Sequence, residues 1–237
     1  MTPREQKERI HQHSGWLLPA GFVFAIMLLS GLLLGWYLRP GVKLPAALTG
    51  QSELVPVTLG DLRLLVPANF MQNPAERAGG SQATLSLTAL FPSWQGYSAD
   101  LARRFQGNAP DSAVVRVLIH RDANAMDAAT RLARIYGPNL AAPDGIAGPF
   151  GLHQYRFADN SGYEQNDLFV GGSGKGLVLF LCEQPAPDLP SPNCQATERP
   201  LADGDSYSFR FKRAWLARWR EVSGGVDALI ARFRKTG

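Results

Sequence analysis

The chain has 237 residues, 45% of them apolar and 19% charged, and a net charge of +4. That balance excludes a disordered chain and leaves room, after any targeting segment, for one ordinary domain with a real core. The basic excess is too slight to point to nucleic acid, and no nucleic-acid motif accompanies it.

Residues 1–15 are short, polar and rich in charge, and read as a cytoplasmic stub. His11 and His13 lie there as a surface pair with no further ligand at metal spacing. Residues 16–38 carry no charge at all. A helix of that length spans roughly 35 Å, enough for a hydrocarbon core of about 30 Å. Trp16 at one end, and Trp36 and Tyr37 at the other, suit the headgroup level. Arg4, Lys7 and Arg9 precede the span, and Arg39 and Lys43 follow it. The bias favours a cytoplasmic N-terminus, hence a single-pass inner-membrane protein with its remainder in the periplasm. A cleaved signal peptide fits less well, because the apolar core is long and Arg39-Pro40 follows it directly. Gly31 and Gly35 form a small-residue pair that lets a second helix approach. The partners implied are the lipid bilayer and either an integral membrane protein or a second copy of the chain.

Residues 39–53 read as a linker and residues 54–237 as one periplasmic α+β domain. Leu54 to Val66 holds two short strands around a turn at Gly60-Asp61. Ala83 to Phe91 alternates with period two and reads as a half-buried strand. A loop with two exposed aromatics, Trp94 and Tyr97, follows, then a short helix near 99–105. Ala113 to His120 is a β-branched strand. Asn124 is placed to cap a helix from Ala125 to about Tyr136, stopped by Gly137-Pro138. Three strands come next, over 152–157, 163–170 and 177–182, the last two joined by the glycine-rich turn 171–176 that carries Lys175. Ser206 to Phe211 is the last strand. From Arg213 to Arg234, Trp215, Trp219, Val222, Val226, Leu229 and Phe233 form one apolar stripe on an amphipathic helix. Gly224-Gly225 is expected to bend or split it.

The fold class expected is α+β: an N-terminal transmembrane helix, then an antiparallel sheet packed by helices on one or both faces. Its element order over 54–234 resembles PsbP-like periplasmic and lumenal domains, a resemblance that implies a binding or assembly module. Ser161-Gly162-Tyr163-Glu164 and the segment from Arg213 to Trp219 resemble uncharacterised single-pass membrane-anchored proteins of alphaproteobacteria, which brings no activity with it.

Cys182 and Cys194 are the two cysteines, and their spacing suggests a disulfide in an oxidising compartment. The loop 171–176 fails as a phosphate cradle, because Gly176 follows Lys175 where a hydroxyl should stand. It fails as a nucleophile elbow too, since a strand and not a helix follows. The acids Asp159, Glu164, Asp167, Asp203 and Asp205 lack the register of a calcium loop. Charge is segregated: −6 over 158–205 and +5 from Lys212 onward. This implies either pairing inside the fold or two faces with different partners. His120 and His153 are the domain's two imidazoles, and they are able to meet across the sheet, with Asp122, only if the fold brings them together. No catalytic, cofactor or metal motif stands out. The function expected is therefore a non-enzymatic accessory or assembly subunit of a membrane protein complex. A tethered ligand-binding or sensory domain, rimmed by the Trp94–Tyr97 loop and the 171–176 turn, is the first alternative, and an envelope hydrolase using either histidine the second.

Overall fold

A computed structural model describes residues 17–37, 48–106, 108–122, 124–201 and 204–234. The chain divides into two compact units, Met1–Pro45 and Ala46–Gly237. In the first, α1 (Leu17–Tyr37) is a helix of 21 residues without a charged side chain. Its described side chains are exposed on every face, Phe22 and Leu32 among them. Over the residues whose side chains are described, 19–35, no helix is long and apolar enough to cross a membrane. The helical backbone of α1 runs two residues further at each end. The linker expected over 39–53 falls partly outside the described residues.

The second unit is α+β. Leu54–Leu59 (β1) and Leu62–Pro67 (β2) form a hairpin, closed by Gly60 at φ +53°, and Gly80–Ser81 (β3) adds a short parallel strand beside β1. The main sheet is antiparallel and has eight strands. In chain order these are Thr84–Leu90 (β4), Val114–Arg121 (β5), Ile146–Ala147 (β6), His153–Arg156 (β7), Asn166–Gly171 (β8), Val178–Glu183 (β9), Asn193–Pro200 (β10) and Asp205–Lys212 (β11). Across the sheet they run β4-β5-β11-β10-β9-β8-β7-β6. The period-two alternation of β4 and β5 puts Leu85, Leu87, Val115, Val117 and Ile119 on one face. Phe209, Phe211 and Phe180 join them there, against the hairpin and the last helix.

Ala102–Phe105 (α2) is the short helix expected after Tyr97. Ala128–Arg131 (α3) begins later than its sequence suggests. Asp127, not Asn124, caps it, accepting the Thr130 N–H at 2.7 Å. It widens into a π-turn over Leu132–Tyr136 and continues through Gly137–Asn139 as a tight turn, so Gly137-Pro138 does not stop it. This segment covers the opposite face of the sheet over β7–β9, where Tyr136, Phe157, Leu168, Val170 and Leu179 form a second core. Helices therefore pack on both faces.

The last helix, Trp219–Phe233 (α4), follows a tight 3-10 stretch over Arg213–Arg218 and is continuous through Gly224-Gly225. The helix is not split there, and Gly225 is a seat for another side chain. A Cβ built there would lie 2.1 Å from the Trp94 indole. Trp219, Val222, Val226, Leu229 and Phe233 are buried as the stripe requires. Strand β10 was hidden in the sequence. Its run Asn-Cys-Gln-Ala-Thr-Glu-Arg-Pro is mostly polar and carries a register shift between Ala196 and Arg199, so no simple alternation marks it. Cys182 and Cys194 face each other across β9 and β10 and are disulfide-bonded.

Candidate functional site

The loop after β4 folds back on the strand that precedes it. The Trp94 N–H donates to the Leu90 carbonyl at 2.6 Å, and the Leu90 N–H donates to the Gln95 carbonyl at 2.9 Å. Trp94 sits at φ +53° with its ring edge-on to Phe91. Asn69, in the tight turn Ala68–Phe70 that follows β2, ties this loop down. Its carbonyl accepts the Tyr97 N–H at 2.9 Å and its side-chain amide donates to the Tyr97 carbonyl at 3.1 Å. Gly96 is required at this seam, since a Cβ there would lie 2.9 Å from Asn69 and Phe70.

Between this loop, the open end of the β1–β2 hairpin and the end of α4 lies a groove of about 800 Å³. Leu65, Pro67 and Trp94 form its walls, and Phe70 and Phe233, edge to face at 5.1 Å, pack together in its lining. The Arg232 guanidinium lies over both rings, 5.3 Å from Phe70 and 5.0 Å from Phe233. Arg234 and Asp100 also line the groove. The Asn69 Oδ1 atom is buried with no hydrogen-bond partner. The groove thus combines aromatic surface with two arginines and one aspartate, the usual make-up of a recognition site.

Of the loop residues expected to meet a partner, Trp94 lines this groove, half-buried. Tyr97 instead supports the loop, its ring against Phe105 at 5.4 Å. The glycine-rich turn forms a tight connection over Gly174–Gly176 between β8 and β9 and contributes no residue to the groove, so the two loops do not rim one pocket. The side chain of Lys175 lies outside the described residues. Gly31 and Gly35, one turn apart on α1, have open space where a Cβ would stand.

The two histidines do not share a site. β5 and β7 are five strands' steps apart in the sheet, roughly 24 Å at about 4.8 Å per step. His153 is exposed at the start of β7. His120, near the end of β5, has Ser206 Oγ at 3.2 Å and Glu198 Oε1 at 3.4 Å, both on Nε2. The register shift in β10 turns Glu198 toward it, and Arg131 of α3 holds the other Glu198 oxygen. A hydrolytic triad needs serine and carboxylate on opposite ring nitrogens. Here both gather on one, Nδ1 is buried without a partner, and Ser206 is fully buried, beyond the reach of a substrate. His120, Asp122 and Glu198 bring ligand atoms within 4.8 Å of one another. Arg131 already neutralises the glutamate, so the cluster reads first as an ion-pair network. Glu198 escaped sequence reasoning because β10 did.

The segregated charges are paired in part within the fold. Arg213 meets the buried Asp167 at 2.6 Å and lies over the Phe169 ring at 5.1 Å. Glu183 of the acidic stretch is met at 2.7 Å by Arg210, which lies just ahead of the basic one.

No family model and no curated protein matches this sequence. Two solved structures are similar to it. Smlt3025, an immunity protein of the Stenotrophomonas maltophilia type IV secretion system, superposes with a TM-score of 0.55 at 18% identity, over 78% of this chain and 94% of that one. The Neisseria meningitidis iron-regulated outer membrane lipoprotein FrpD aligns at a TM-score of 0.37 and 10% identity, over 80% of this chain and 96% of that one, too distant to inform the fold. The first likeness shows a shared architecture.

Proposed function

We propose that this protein is a non-enzymatic, membrane-tethered binding module, an accessory or assembly subunit whose folded domain meets a protein partner on the periplasmic side of a bacterial inner membrane. The groove beside α4 carries the reading: aromatic walls with two arginines suit an apolar segment that also bears an acid. The charge-free α1 supports the tether, because its 21 residues extend roughly 31 Å. The basic residues ahead of it support a cytoplasmic N-terminus. The disulfide favours an oxidising compartment. Gly31 and Gly35 suit helix pairing, with the partner's own span or with a second copy.

The test is a photo-crosslinking residue in place of exposed Leu54 or Ser93 in the full-length protein, followed by mild-detergent purification. One reproducible heteromeric adduct is expected. A strictly monomeric particle that yields no adduct from either position sinks the reading. A small-ligand or sensory role is the second reading, favoured by the groove's volume of about 800 Å³, within the range of small-molecule sites. Native mass spectrometry separates the two: a copurifying small molecule lost in Asn69→Ala supports the ligand role.

A further inference from the structure

The eight-stranded sheet is covered unequally. One face is buried by the hairpin and α4 along the main core. The other is roofed by the α3 segment over β7–β9, with Arg131 reaching Glu198 of β10. Toward β5, β11 and β10 part of that face reaches solvent, although Ser206, Ser208 and Lys212 on the same side of β11 are buried. Arg116, Arg210 and Gln195 are exposed there, and Leu118 is 40% exposed.

The register makes this strip unusual. Arg116 of β5 stands directly opposite Arg210 of β11, and Arg210 directly opposite Gln195 of β10. Like charges placed opposite each other across a sheet are destabilising. Arg210 has Glu183 for relief. Among the described residues no carboxylate pairs with Arg116. Lys212, two residues beyond Arg210, has its ammonium on Asn108 and on the Ser191 carbonyl, not on an acid. Burial first and the Arg210 charge second push that ammonium below its usual range. Two exposed arginines thus stand opposite each other on adjacent strands beside an exposed leucine, with the buried Lys212 further along β11, and among the described residues Glu183 is the one acid paired to either arginine.

We propose that this strip, centred on Arg116, Leu118 and Arg210, is the docking surface for an acidic face of a protein partner. A carboxylate seated between the two guanidiniums removes the repulsion the free protein carries, and Leu118 supplies the apolar centre around which such contacts form. The strip lies on the opposite face of the sheet from α4 and its groove, so it stands or falls independently of the function proposed above.

Two measurements on the full chain test it. Arg116→Glu pairs with Arg210 instead of repelling it, so the purified protein should show a higher Tm at low salt, an increase that high salt erases. In cells, a photo-crosslinking residue at Leu118 should give one adduct whose partner is identified by mass spectrometry. That adduct should be lost in the Arg116→Glu background and restored when the partner's contacting carboxylates are reversed to lysine. A lower Tm for Arg116→Glu overturns the proposal. So does the absence of an adduct, or an adduct that survives the charge reversal. Binding to vesicles of phosphatidylcholine and phosphatidylglycerol that Arg116→Glu abolishes, with no protein adduct, makes the occupant a lipid surface and overturns it too.

Discussion

Gly225 shows how a single missing methyl can be read two ways. From propensity alone, a Gly-Gly pair within an amphipathic stretch weakens a helix by about 1 kcal/mol per residue relative to alanine. In the fold, the missing Cβ is the space the Trp94 indole fills. Gly225→Ala is therefore expected to cost about 2 kcal/mol through overpacking, where an open helical site would gain. Denaturant midpoints measure this, and Trp94→Ala in the same background should return part of the loss. A stabilised single mutant would show that the indole yields easily. Glu76 makes a second residue-scale case. It is buried, its carboxylate accepts the Ser86 N–H at 2.9 Å, and burial raises its pKa above 4.5. The folded chain then holds a proton over a pH range where the unfolded chain has released it. Stability from this group is present at acid pH and is lost as pH rises through the folded value. Glu76→Gln should gain on the wild type in Tm as the pH is raised from 4.5 toward neutrality. A difference that does not change with pH would remove this account.

Elements were legible wherever one period ran unbroken. The alternation of β4, β5 and β11, and the stripe of α4, each show one apolar face against one polar face, so their positions follow from burial alone. Other elements were illegible for identifiable reasons. β10 is a central strand with a shifted register, so its inward residues do not alternate. The cap of α3 sits at Asp127, three residues after the equally good capping residue Asn124, and nothing local to the sequence decides between them. The groove was half legible. Trp94 was singled out as an exposed-looking aromatic, but Phe70, Asn69 and Arg232 come from distant segments that only the tertiary fold assembles. The tie between β8 and the start of the 3-10 stretch was equally hidden. Arg213 reaches the buried Asp167 and also donates to the Glu183 carbonyl at 2.8 Å. Arg213→Met should cost about 3 kcal/mol, since it leaves a buried carboxylate without its counter-charge. Chemical unfolding of the variant checks this. A near-neutral result would mean that water reaches Asp167 readily.

At the scale of the whole molecule, the chain divides into a unit that holds the apolar helix α1 and a unit that holds the α+β domain. The proposed tether rests on a helix whose described side chains are apolar and exposed on every face, a surface that lipid would satisfy. The full-length protein should therefore stay in the membrane pellet after alkaline carbonate washing. A version lacking residues 1–45 should be released as a folded domain, since its core lies wholly within the second unit. Release of the full-length chain by carbonate would remove the tether from the proposed function. The groove and the arginine strip would be untouched as binding surfaces.

The covalent link between neighbouring strands has a further consequence. Cys182 and Cys194 enclose an exposed, proline-rich excursion with Asp188 near its middle. A protease site inserted after Asp188 would divide the polypeptide into two pieces, each holding one half of the cystine. The cut molecule should migrate as a single species without reductant and as two fragments with it. A break that would scatter an ordinary chain becomes, in this architecture, a scar that leaves the sheet whole until the sulfurs part.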